Sequence, residues 1–144
     1  MTFTFGKRSQ ENLSDVHPDL RKVAERALSF GIMDFSVIEG HRSLERQQEL
    51  YKDGKSQIDG INKKGKHNYK PSHAIDVLPY PAVVNGINVW NDNHRWCVLA
   101  GLFMAAANLE GVDIRWGGDW DGDGNNADSR FNDYPHYELA RKDS

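Results

Sequence analysis

The chain has 144 residues, 38% of them hydrophobic, with four Trp, five Tyr and six Phe, enough to bury a core and too aromatic for a disordered segment. A net charge of −3 and a pI of about 6.0 exclude the basic field that nucleic acid or anionic lipid would need. One cysteine excludes an internal disulfide, and no apolar run approaches the length of a membrane span.

The first residues lack the apolar stretch of a secretion signal, so the chain is expected to be made and held in the cytoplasm, without membrane insertion. Its length fits a single domain over residues 1–144. Residues 1–16 read as an extended lead-in with a turn over Asn12 to Val16. Pro18 suits a first helical position, and Leu20, Val23, Ala24, Ala27 and Leu28 follow at helical spacing up to a stop at Gly31. Met33 to Glu39 alternates Met33, Phe35 and Val37 against Asp34, Ser36 and Ile38, which predicts a strand with one buried face.

Ser43 can cap a helix from Leu44 to Asp53 that ends at Gly54; Arg46 stands where a capping box needs Glu or Gln. Gly54 to Lys70 is polar and without periodicity, a loop of the length that usually serves function. Ala74 to Leu78 reads as a strand closed by Pro79-Tyr-Pro81. Asn91 or Asp92 caps the clearest helix, in which Trp96, Leu99, Ala100, Phe103, Met104 and Ala107 form the packing stripe up to Gly111. Cys97, inside that apolar run, reads as a buried and inert thiol. Asp113 to Trp116 and Tyr134 to Ala140 are two further strands. These elements predict an α+β fold, helices packed on a short and mostly antiparallel sheet.

Two polar clusters stand apart from this packing pattern: His67-Asn-Tyr-Lys-Pro-Ser-His-Ala-Ile-Asp76 and Asp133-Tyr-Pro-His136. Two His and one Asp make a three-ligand shell for zinc and leave one position for water. Strand alternation turns His73 and Asp76 to opposite faces, which favours His67, in the preceding loop, as the ligand that joins Asp76 and His136. Asp133 is then the carboxylate left to carry the proton of that water. It is three residues from His136 and cannot share its face on a regular strand, so Tyr134-Pro135 is expected to break the strand there. Arg42 could hold a substrate carboxylate or a developing oxyanion, although a surface salt bridge is the plainer reading.

Four segments carry a family resemblance: Glu39-Gly-His-Arg42-Ser-Leu-Glu-Arg-Gln47, Lys66-His67-Asn-Tyr-Lys-Pro-Ser-His-Ala-Ile-Asp76, Trp116-Gly-Gly-Asp-Trp120 and Asp133-Tyr-Pro-His136-Tyr-Glu-Leu. They resemble the phage and bacterial L-alanyl-D-glutamate endopeptidases, zinc peptidases related to D-alanyl-D-alanine carboxypeptidases and dipeptidases. The resemblance implies His67, Asp76 and His136 as zinc ligands, Asp133 as catalytic acid and base, Arg42 as the arginine that stabilises the transition state, and Gln47 as a substrate contact. It implies the small α+β fold shared with hedgehog-type zinc domains, and peptidoglycan peptide stems as substrate, cut between L-alanine and D-glutamate.

An endolysin of this kind, with no separate cell-wall-binding domain, would act on the wall from the host cytoplasm once a holin-type partner had permeabilised the membrane. The chain departs from the common pattern at Gly65, where a serine is usual, and at Ser72, where a glycine is usual; both bear on the preferred cleavage site. The alternatives are a D-alanyl-D-alanine carboxypeptidase and a non-catalytic binding module that contains zinc. A second metal is also suggested. Asp119, Asp121 and Asp123 alternate ahead of Gly124 as in a calcium loop, although Arg130 stands at the twelfth position where Glu is needed. A solvated acidic turn is the competing reading of those residues.

Overall fold

The computed structural model describes residues 2–54, 66–118 and 133–140. In chain order the elements are α1 (Lys7–Leu13), α2 (Pro18–Ser29), β1 (Asp34–Glu39), α3 (Leu44–Lys52), β2 (Ala74–Tyr80), β3 (Val83–Val84), β4 (Ile87–Asn88), α4 (Asn93–Glu110), β5 (Ile114–Trp116) and β6 (His136–Leu139). Four of the strands form one sheet in the order β1-β2-β6-β5, and every pairing in it is antiparallel. The fold is α+β, as the spacing of helical and alternating segments predicts.

Period-two alternation decides where the core lies. Phe35 and Val37 of β1, Ile75 and Val77 of β2, and Tyr137 and Leu139 of β6 all point to one side of the sheet. Helices α2 and α4 cover that side and pack on each other. In α2 the ring of His17 accepts from the backbone N–H of Asp19 at 3.1 Å, Pro18 opens the helix, and Leu20, Val23, Ala24, Ala27 and Leu28 are all buried. Gly31 ends it at φ 69°, a left-handed conformation that favours glycine.

The structure differs from the predicted elements in four places. Residues 7–13 form α1 and not an extended lead-in. Only Leu13 in that helix is a large apolar residue, so it carries no readable period; it is held instead by polar contacts to β1. The Ser9 hydroxyl accepts from Val37 N–H at 3.0 Å, and the Asn12 amide donates to the Val37 carbonyl at 2.8 Å. Second, β2 runs through Pro79 to Tyr80; β6 pairs only with Ala74 to Asp76, so the later part of β2 has a single partner in the sheet and tolerates proline.

Third, the β3–β4 hairpin is absent from the predicted elements, although Asn85-Gly86, both at positive φ (53° and 78°), is the two-residue loop of a type I′ turn. Fourth, Cys97 is exposed and Met104 is 39% exposed, while Leu102 and Ala106 take the buried positions. Helix α4 is apolar almost all round, so its period alone cannot tell which face meets the sheet. No described helix is long and apolar enough to cross a membrane.

Candidate metal centre

The alternation that sends Ile75, Val77, Tyr137 and Leu139 into the core turns Asp76, His136 and Glu138 to the other face of the sheet. Asp76 and His136 stand directly opposite each other on β2 and β6. Opposed residues in an antiparallel pair have Cα atoms about 5 Å apart, so their side chains meet. Asp76 Oδ1 lies 3.3 Å from His136 Nδ1. His67 arrives from a short 3-10 turn, Lys66–Asn68, that folds back over the end of β1. Its carbonyl accepts from Arg42 N–H at 2.7 Å, the Asn68 amide donates to the Arg42 carbonyl at 3.1 Å, and the Lys66 carbonyl accepts from His73 N–H at 3.0 Å. These bonds bring His67 Nε2 to 3.2 Å from Asp76 Oδ1.

One ligand atom from each of His67, Asp76 and His136 lies within 4.8 Å of the other two, so the three form a group that could hold a metal ion. The chemistry of the donor set fits one. His67 Nδ1 donates to the Gly40 carbonyl at 2.7 Å, and His136 Nε2 donates to Glu138 Oε1 at 2.8 Å. Each imidazole therefore has one nitrogen tied to an acceptor and turns the other toward Asp76, the arrangement that outer partners impose on metal-binding histidines. His73 lies apart from this group: its ring stacks on Tyr69 at 4.9 Å and meets His17 edge-on at 5.6 Å.

Asp133 precedes β6 in a turn, so strand alternation does not govern it. Its N–H donates to the Gly117 carbonyl and Gly117 N–H donates to the His136 carbonyl, both at 2.8 Å. A side chain on Gly117 would collide with the Asp133 carbonyl oxygen, so only glycine lets the two segments approach this closely. Burial pushes the Asp133 carboxyl above its ordinary range and the charge of Asp76 pushes it further, while His136, His67 and Arg42 pull the other way.

Arg42 is held on two sides. Its Nε and Nη2 donate to the two oxygens of Glu39, each at 2.9 Å, and Nη1 donates to Gln47 Oε1 at 2.9 Å. Nη2 also lies 3.5 Å from Asp76 Oδ2, which places the guanidinium at the edge of the group. Gln47, expected from the resemblance to touch substrate, is 1% exposed and its side-chain oxygen accepts from Arg42.

The metal-free charges are strongly coupled. Burial opposes ionisation of Asp76, but His67 and His136 outweigh it and hold this carboxyl well below the usual carboxylate range. Burial likewise opposes a charged His136, yet Asp76 and Glu138 push it up to about 9. Asp119, Asp121 and Asp123, the candidate calcium ligands, lie outside the described residues.

Four residues that shape the site were not singled out from sequence: Glu39, Gly40, Gly117 and Glu138. Glu138 had a readable signal, since two residues after His136 on a strand it must share that face. Gly40 and Gly117 had none, because both are set by contacts between distant segments; a side chain on Gly40 would collide with the Asn12 carbonyl.

A family model described as phage L-alanyl-D-glutamate peptidase matches residues 1–140. An L-alanyl-D-glutamate peptidase of Escherichia phage T5 is 33% identical over 124 residues, covering 86% of this chain and 86% of that one. Peptidoglycan L-alanyl-D-glutamate endopeptidase CwlK of Bacillus subtilis (strain 168) is 31% identical over 141 residues, covering 88% of this chain and 74% of its own. The crystal structure of Serratia marcescens L-Ala D-Glu endopeptidase ChiX superposes with a TM-score of 0.74 at 35% identity, covering 99% of this chain and 92% of the other.

Proposed function

The chain belongs to the phage L-alanyl-D-glutamate peptidase family, and from that premise we propose that it is a zinc-dependent endopeptidase cutting the L-alanyl-D-glutamate bond in the peptide stems of peptidoglycan. The convergence of His67, Asp76 and His136 carries the proposal. Two imidazoles and one carboxylate are a donor set that zinc accepts with a fourth position open. Zinc, when bound there, supplies a Lewis acid and lowers the pKa of water at the site to about 7.

The protein groups divide the remaining work. Asp133 takes the proton of the attacking water and passes it to the nitrogen of the departing D-glutamyl residue. Burial holds the Asp133 carboxyl above its ordinary range, which makes it a better proton acceptor than a solvent-exposed aspartate. Arg42, clamped by Glu39 and Gln47, presents a fixed positive charge beside Asp76 for the developing oxyanion or a substrate carboxylate. Gln47 serves by holding Arg42 in place. Within the same proposal, the protein reaches the wall from the host cytoplasm with the help of a holin-type partner that permeabilises the membrane.

Digestion of purified muropeptides by the zinc-loaded protein, followed by mass spectrometry, tests the reading. A new N-terminal D-glutamate is the expected product. Release of free D-alanine in its place would make the protein a D-alanyl-D-alanine carboxypeptidase.

A further inference from the structure

We infer that Glu138 is a positioning residue for the metal centre: anchored by Arg115 across the sheet, its carboxylate fixes the His136 ring with Nδ1 turned toward Asp76 and the metal position. The inference rests on the reading of His67, Asp76 and His136 as metal ligands and deepens it.

Three observations carry it. Glu138 is 5% exposed, and a buried carboxylate needs partners that satisfy both oxygens. It has them: Oε1 accepts from His136 Nε2 at 2.8 Å, and Oε2 accepts from Arg115 Nη2 at 2.9 Å. The sheet dictates the arrangement, because His136 and Glu138 are two apart on β6 while Arg115 on β5 is directly opposite Glu138. An acceptor held from the neighbouring strand fixes which nitrogen of His136 carries the proton and which way the ring faces. The Gly40 carbonyl does the same for His67 with backbone alone. The two ligating imidazoles are thus oriented by different means, one by a main-chain oxygen and one by a side-chain ion pair, and only the second can be removed by a single substitution.

A purely structural role for the ion pair predicts a change in stability and nothing at the metal. The test therefore reads the metal directly: zinc affinity by competition with a chromophoric chelator, and the visible absorption spectrum of the cobalt(II)-substituted protein. Loss of an outer partner typically weakens binding by about 10- to 100-fold, so Glu138→Ala is expected to lower zinc affinity in that range and to alter the cobalt spectrum. Glu138→Gln keeps an oxygen to accept from Nε2 and is expected to restore the parental spectrum, with an affinity between those of the parent and the alanine variant. A folded Glu138→Ala protein with parental affinity and spectrum overturns the inference while leaving the metal reading intact. Should the alanine variant fail to fold, parental zinc affinity in Glu138→Gln overturns it instead. A parent protein that binds no zinc overturns the metal reading itself, and the inference with it.

Discussion

Strand β6 has two faces with opposite rules. Tyr137 and Leu139 lie in the core, where Tyr137 stacks on Phe103 with ring centroids 4.1 Å apart and its hydroxyl has no hydrogen-bond partner among the described residues. His136 and Glu138, one residue away in each case, face the other way, into a buried cluster where each polar atom has named polar partners. The core face is held by volume and area removed from water, which many side chains can supply. The polar face is held by pairwise geometry, where moving one group leaves another unsatisfied. The same backbone serves both, so stability and site geometry should respond separately to substitution.

The largest effect is expected at Asp133, the proposed proton carrier. Asp133→Ala should lower kcat on muropeptides by about 10²- to 10⁴-fold, the usual contribution of general acid–base catalysis, while zinc content by mass spectrometry stays at the parental level. Retained turnover would remove Asp133 from the chemistry. On the core face, Tyr137→Ala should cost about 3–5 kcal/mol in denaturant unfolding, as large aromatic truncations do. Tyr137→Phe, which removes only the unpartnered hydroxyl, should leave stability unchanged or raise it. A large loss from Tyr137→Phe would mean that the hydroxyl is satisfied after all.

Gly117→Ala probes the join between the faces. The added methyl meets the Asp133 carbonyl, so the turn must shift. A displacement near 1 Å should lower kcat by about 10²-fold with zinc binding kept; an unchanged kcat would show that the turn gives way without moving the carboxylate.

The smallest effect is a proton count. His136 is pushed up to about 9 in the metal-free protein, so at pH 7 it is charged and must lose its Nδ1 proton to become a ligand. Zinc binding followed by calorimetry in buffers of different ionisation enthalpy should release about one proton at pH 7. Because the folded-state value lies above the ordinary 6.5, the ion pairs of His136 stabilise the metal-free protein fully below pH 6.5, and that contribution disappears as pH rises toward 9. The melting temperature of the metal-free protein should accordingly fall between pH 6.5 and 9, and a flat profile would contradict the coupling.

The core face was legible in the sequence because it repeats. Leu20, Val23, Ala24, Ala27 and Leu28 mark α2, and Phe35 and Val37 mark β1, with no knowledge of partners. Helix α1 was hidden because its attachment is a serine and an asparagine reaching for one backbone position, which leaves no period. Met104 and Cys97 were misplaced because α4 has apolar residues on every side, and only docking against the sheet selects a face.

The polar face was legible where residue chemistry is unusual, as at His67, Asp76 and His136, which the fold brings together. It was illegible where the contribution is an absence of side chain, at Gly40 and Gly117, and where a carboxylate is drafted into support, as with Glu39 beside Arg42; Gln47 was singled out for a substrate contact and is found buried against Arg42. The glycine roles arise where segments far apart in the chain meet, so local pattern carries no trace of them, whereas Glu39 and Gln47 lie only three and five residues from Arg42.

His67, Asp76 and His136 are proposed to hold one zinc ion together. Anomalous diffraction at the zinc edge from crystals grown with the metal addresses it most directly. One strong peak is expected between His67 Nε2, Asp76 and His136 Nδ1. A peak elsewhere in the molecule, or none at this group in a protein that still cleaves muropeptides, would contradict it.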